Sequence, residues 1–301
     1  MVTLLFGAGA SYGSGRCFPH APPLGNDLFQ KLIELNGAFA LLDDDSKQVF
    51  IDKGFEAGMA TVDNDSRVIN PLQKELACYL SSFTVAPDNA YVRLCMKLRN
   101  SLAQITIVTL NYDLLIEQAL QMHGLDIDYN CSNAGVNLIK PHGSSNFLPE
   151  LPRGMSFSGS TMVSCGAFFE GLPTNAVGSH EEVKSWCLDD RNSDLSPVLA
   201  MYAEGKRVVI NPRTILAAQN EYSKRIASSE LVVLVGVRYV PHDNHIWDPI
   251  SERMPKLLIV DPYPLGTTSW ADANGLSDVI VIKKGFEDSV WDIKKAVQKV
   301  L

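Results

Sequence analysis

The chain has 301 residues, 46% of them hydrophobic, enough to bury a sizeable core in one elaborated domain or two small ones. A net charge of −8, with no basic stripe, argues against direct nucleic-acid binding. No apolar stretch is long enough to span a bilayer, and the opening run lacks the basic leader and cleavage pattern of a secretory signal.

Val2 to Phe6 reads as a buried strand that ends in Gly7-Ala8-Gly9-Ala10-Ser11. Small residues at such a junction let backbone N–H groups approach a diphosphate, with the next helix offering its positive end, or they satisfy the torsion angles of an ordinary turn. Tyr12 stands where the usual dinucleotide fingerprint has its third glycine, and Asp27 falls at a helix start instead of a strand end. Leu28 to Leu42 has helical periodicity, with Leu28, Phe29, Leu32 and Ile33 on one face. The run Asp43-Asp44-Asp45-Ser46 breaks it as a solvated loop, and Val49–Phe83 and Asn89–Leu98 read as further helix. This connection is far longer than a simple crossover needs, which predicts a helical insertion over about 28–100 capping a nucleotide cleft.

Ile105 to Leu110 is a β-branched apolar run of the kind buried on both faces of a sheet. It stops at Asn111-Tyr112-Asp113, and Leu114 to His123 has helical spacing. Val136–Ile139 is another short apolar run, ending in Lys140-Pro141-His142-Gly143-Ser144. Polar residues at the carboxyl ends of buried strands lie where open α/β sheets bind ligands. Phe147 to Trp186, rich in Gly, Pro and Ser, holds either a hairpin or a loop over the site. Strands then recur at Lys206–Ile210, Leu231–Val235, Lys256–Val260 and Val279–Ile282, with helices at Ile215–Ser228 and Phe286–Leu301. The alternation predicts an α/β fold: a doubly wound, mainly parallel Rossmann-like sheet. One domain is expected over 1–301, its core formed by 1–27 and 101–301.

Cys17, Cys78, Cys95, Cys131, Cys165 and Cys187 are scattered, without a Cys-x-x-Cys pair. They read as buried small hydrophobes in a reducing cytoplasm, and no structural zinc or other metal is expected.

Three motifs in order, Gly-Ala-Gly-Ala-Ser, Thr109-Leu110-Asn111-Tyr112-Asp113 with Glu117, and Lys140-Pro141-His142-Gly143-Ser144, resemble the sirtuin-like NAD-hydrolysing proteins of bacterial antiviral defence. Pro22-Pro23-Leu24-Gly25, followed by Leu28-Phe29, is similar to the segment after the glycine loop in that family. The resemblance spans Gly7 to roughly Asp261 and implies the Rossmann-type core of sirtuin deacylases. It implies NAD+ as substrate, cleavage to nicotinamide and ADP-ribose, and a defence role. The absent cysteine pairs remove the zinc ribbon that a deacylase would carry.

Cleaving the nicotinamide–ribose bond passes through an oxocarbenium-like state with a neutral leaving group, so the protein must orient the sugar, position water and remove a proton. Asn111 either holds a ribose hydroxyl or the attacking water, or caps the following helix. The resemblance favours the former. His142 is the expected general base, because an imidazole accepts a proton near neutrality. The other histidines, His20, His123, His180, His242 and His245, have no comparable setting.

Gly7, Ala8, Gly9, Ala10 and Ser11 are expected to line the NAD+ phosphates, with Ser11 donating to phosphate, capping the next segment, or both. Asp113 holds the nicotinamide carboxamide or ties down a loop; Glu117 is structural, Lys140 positional, and Tyr112 packs in the core. Arg16 pairs with phosphate or lies free on the surface. After the late strand the family has Gly-Thr-Ser or Gly-Tyr-Ser, whereas this chain has Gly236-Val237-Arg238. The glycine still permits close approach; Arg238 replaces the hydroxyl by a charge contact, and Asp261 is placed to reach a ribose hydroxyl.

A constitutive NAD+ hydrolase would drain its own cell. With no sensor segment evident, control is expected from self-assembly into a homo-oligomer or from a separate sensor or activator chain. The alternative is a non-catalytic module that binds NAD+ or ADP-ribose.

Overall fold

In the computed structural model, residues 1–63, 65–151, 171–200 and 210–301 are described. In chain order the strands are β1 (Val2–Phe6), β2 (Cys17–Phe18), β3 (Thr84–Val85), β4 (Ile105–Thr109), β5 (Ile127–Asp128), β6 (Val136–Ile139), β7 (Phe147–Pro149), β8 (Thr174–Ala176), β9 (Leu231–Val235), β10 (Lys256–Val260) and β11 (Val279–Ile282). Seven of them form one parallel sheet in the order β11-β10-β9-β1-β4-β6-β5. The chain leaves β1 toward β4 and later returns to β9 on its other side, so the carboxyl end of β1 is the switch point where open sheets form a ligand crevice.

Every residue of β1, β4 and β9 is buried, which explains why these segments are apolar throughout instead of alternating. Leu4, Phe6, Ile105 and Ile107 pack on one face with helices Ala90–Leu98, Leu115–Gln121 and Phe286–Gln298. Leu5, Val108, Leu234 and Ile259 face helices Pro212–Ala227, Asn244–Arg253 and Leu265–Ala273 through Tyr222, Trp247 and Trp270. The doubly wound expectation therefore holds.

The stretch between β1 and β4 is helical, but in more pieces than periodicity predicts. Helix Gly25–Ile33 stops well short of Leu42; beyond it Asn36 adopts a left-handed φ of 56° and Glu75 packs where a Cβ on Gly37 would lie. The acidic run is no loop. Asp43 caps helix Asp44–Lys53, its Oδ1 accepting from Ser46 N at 2.8 Å, and the following acids favour a helix N-terminus. Gly54, at φ 87°, separates that helix from Phe55–Thr61, and Ser66–Ser81 follows. Phe29, Phe39, Phe50 and Phe55 form the aromatic core of this region, with Phe29 and Phe50 stacked at 4.2 Å. The antiparallel ribbon β2–β3 ties it back to the segment after β1.

Of the region read as hairpin or covering loop, the described flanks β7 and β8 pair antiparallel. The strand predicted at Lys206–Ile210 lies outside the described residues except for Ile210. The edge strand β5, two residues long, carries no periodic signal in the sequence.

Candidate functional site

The glycines at the end of β1 serve first to bring two loops together. Gly7 N donates to Val235 O at 3.0 Å and Gly9 N to Gly236 O at 3.1 Å. A Cβ on Gly7 or Gly9 would lie 2.6 or 2.9 Å from Gly236 O, and one on Gly236 (φ 58°) 2.1 Å from Ala10 N. These two loop N–H groups are therefore spent on the protein's own carbonyls, leaving exposed Ala8 and half-exposed Gly9 as the outward face of the turn. The helix that follows, Ala8–Tyr12, is a single short turn.

Asn111, two residues past β4, reaches directly into this turn. Its Nδ2 donates to Gly7 O and to Ser11 Oγ, both at 2.9 Å, and its own N–H is held by Thr109 Oγ1 at 3.1 Å. Both amide protons are committed, and Oδ1 is left as its acceptor. Helix Leu115–Gln121 gets its side-chain contact from Asp113 instead, whose Oδ1 accepts from Leu115 N at 3.2 Å, so the capping role considered for Asn111 is not the one it plays.

Ser11 is fully buried. Its hydroxyl lies 3.1 Å from Tyr91 Oη and also bonds the Asp113 carboxyl, so it knits the turn together and neither meets solvent nor caps. Asp113 is buried in that network. Burial raises its pKa, opposed by the nearby Lys140 charge and by the Ser11 and Leu115 hydrogen bonds. Its contacts are those of a loop anchor.

Lys140 and Glu117 form a fully buried ion pair, Nζ to Oε1 at 2.7 Å, and Lys140 also donates to Asp113 O at 2.8 Å. This pair fastens the end of β6 to the helix after β4. Ser145 N donates to Tyr112 O at 3.1 Å, and Tyr112 Oη to Ala200 O at 2.7 Å, completing the seam.

His142 lies at the same level beyond β6 as Asn111 beyond β4, since Val108 is paired with Ile139. Gly143 must be glycine: at φ 83°, a Cβ would approach Val198 O to 2.0 Å. The imidazole is buried, and its Nε2 lies 3.0 Å from Nε2 of His245 and 3.9 Å from Asp243 Oδ2. Burial, reinforced by His245, pushes the His142 imidazole down to about 3, and burial pushes His245 down to about 4. Burial and the Glu56 carboxylate push Asp243 up to about 7. Sequence reasoning set His245 aside and did not single out Asp243. Their only signal was position, beyond the glycine turn after β9. Ser144 Oγ, Ser145 Oγ and Asn146 Oδ1, which follow His142, are buried polar atoms with no partner among the described residues.

Two predicted residues stand apart from these networks. Arg238 is exposed on the loop after β9, and Arg16 contacts Asp88 at 3.6 Å on the surface. Asp261 ends β10, where its Oδ1 accepts from Tyr263 N at 2.7 Å.

No family model matches this sequence, and no curated protein matches it. Among solved structures, a Sir2 homologue carrying a histidine-to-asparagine substitution, in complex with ADP-ribose, is similar with a TM-score of 0.52 and 15% identity over 99% of this chain and 92% of that one. A Sir2 homologue in complex with NAD is similar with a TM-score of 0.51 and 16% identity over 99% and 90%. The chain therefore has the fold of the Sir2 homologues.

Proposed function

We propose that the chain is an NAD+ hydrolase that releases nicotinamide and ADP-ribose. The observation that carries this reading is the convergence at the switch point: Asn111 bonds into the glycine turn, and His142 stands at the matching level of the neighbouring strand. The NAD and ADP-ribose of the Sir2 homologues that share the fold support the same choice of substrate.

In the reaction, the bond between the nicotinamide nitrogen and ribose C1′ breaks, and its electron pair neutralises the pyridinium. Water forms the new bond to C1′, and its proton must leave. Asn111 offers Oδ1 to the water or to a ribose hydroxyl, held in place by its two donated bonds. His142 is neutral at pH 7 and accepts the proton once its Nε2 turns from His245. The glycine turn, through Ala8 and Gly9, faces the diphosphate, while Arg238 and Asp261 attend to the adenosine half. Asp113 acts through the loop it anchors.

The contact between His142 and His245 favours a second reading, a module that binds NAD+ or ADP-ribose without turnover, because a base pushed down to about 3 is weak in this state. An effector of antiviral defence restrained until it assembles or meets an activator chain reconciles both, and a cytoplasmic location suits its substrate. Quantifying nicotinamide after incubation with NAD+ tests the reading: release that depends on His142 supports hydrolysis. Retained binding with no release, in isolated and assembled forms, establishes the binding module instead. NAD+ consumption that requires an acylated peptide would point to deacylation.

A further inference from the structure

We propose that His142, His245 and Asp243 form a binding site for a zinc-class divalent cation, and that a cation held there stops the hydrolysis assigned above by occupying Nε2 of His142. The second half rests on the proposed function; the first does not.

Three ligand atoms from two separate segments converge. The Nε2 atoms of His142 and His245 are 3.0 Å apart, Asp243 Oδ2 is 3.9 Å from the first, and one ligand atom from each of the three residues lies within 4.8 Å of the other two. Three atoms within 4.8 Å of one another share a point no more than about 2.8 Å from each, so side-chain rotations of a few tenths of an ångström bring them to the ~2.0–2.2 Å of zinc–imidazole and zinc–carboxylate bonds.

Two imidazoles and one carboxylate suit zinc or cobalt, whereas calcium and magnesium prefer all-oxygen sets. Three protein ligands leave a fourth, open position. Asp243 is only 7% exposed, and among the described residues no lysine or arginine pairs with it. Among the described residues its oxygen is met by imidazoles alone: His142 Nε2 lies 3.9 Å away, beyond hydrogen-bond reach, and His242 acts on it electrostatically. Glu56, from the helical insertion, adds a second carboxylate that acts on Asp243 electrostatically. Such a buried, oxygen-rich and imidazole-rich spot favours a cation.

Asp243 and His245 flank Asn244 at the start of helix Asn244–Arg253, and His142 comes from the end of β6. A bound cation would therefore pin that helix to the base. The lone pair that His142 needs for the proton would be donated to the metal.

The test is a titration of chelator-stripped full chain with Co2+ alone, followed by visible absorption. We expect the intense visible bands of a tetrahedral site at one equivalent, without a thiolate charge-transfer band, and displaced by Zn2+. They should vanish in His245→Ala and weaken at least about tenfold in Asp243→Asn. Circular dichroism confirms folding, and either variant alone suffices if the other fails to fold. No bands in the wild type, or bands of undiminished intensity in a folded variant, overturn the site. In wild type that hydrolyses NAD+, Zn2+ should lower nicotinamide release and chelator restore it; release unaffected by saturating Zn2+ overturns the inhibitory role. Cobalt bands as expected in a chain that never releases nicotinamide uphold the cation site while removing the hydrolase reading.

Discussion

Lys140 shows how closely the candidate site depends on interior electrostatics. Its ammonium is fully buried against Glu117, whose second oxygen, Oε2, has no partner among the described residues. Removing one charge of such a pair leaves the other stranded, which costs about 3–5 kcal/mol. Lys140→Met should therefore destabilise the chain by roughly that much in chemical denaturation, and adding Glu117→Gln should recover a large part. An unchanged midpoint in Lys140→Met would show that the pair does not anchor β6. Asn111 is legible as a candidate, and Lys140 as a positional residue, because each follows an apolar run. Their partners are not: nothing in the sequence says that Asn111 donates to Gly7 O, or that Ser11 is fully buried. His245 is set aside at the level of sequence because a histidine at a helix start has no distinguishing pattern until β6 is set beside it.

Two turns border the strands that carry the site. The one after β5 is organised by Asp128, whose carboxylate accepts from Asn130 N, Ser132 Oγ and Ala134 N, each at 3.0 Å. Burial raises its pKa, but these hydrogen bonds outweigh burial and hold it below the usual range. A carboxyl depressed in the folded state binds protons more weakly there than when unfolded. Its contribution is thus present above the unfolded value of about 4 and is lost as pH falls through the folded pKa. Asp128→Asn should lower Tm at pH 7, with the gap to wild type shrinking below about pH 4; a gap independent of pH would contradict this.

The other turn is the glycine contact. Gly236→Ala combines a left-handed φ with a Cβ 2.1 Å from Ala10 N, so we expect a loss of at least about 2 kcal/mol together with loss of NAD+ affinity. A stable Gly236→Ala chain with normal affinity would show that the two loops need not touch. The uniformly apolar strands β1, β4 and β9 were readable from sequence because burial on both faces admits only such residues. The helix ends of the insertion were not, since they are set by Gly54, by Asn36 and by packing between distant residues such as Gly37 and Glu75.

Across the whole molecule, one seven-stranded sheet gathers residues 7, 111, 142 and 236 at the carboxyl ends of its neighbouring strands, which only the strand order could reveal. The insertion reaches the same edge, with Glu56 acting on Asp243. On the proposed reading, the contact of His142 with His245 implies low turnover in the resting chain. Specific activity should rise in assembled fractions or on adding an activator; equal activity in separated monomer and assembly, without any activator, would argue against such control.

On the proposed reading, Asn111 and His142 serve one reaction. Nicotinamide release from NAD+, measured side by side for folded wild type, Asn111→Ala and His142→Ala in isolated and assembled forms, tests it most directly. We predict turnover in the wild type and losses of roughly 10²-fold for Asn111→Ala and 10²–10⁴-fold for His142→Ala, with NAD+ still bound. Wild-type rates in either folded variant would contradict the account.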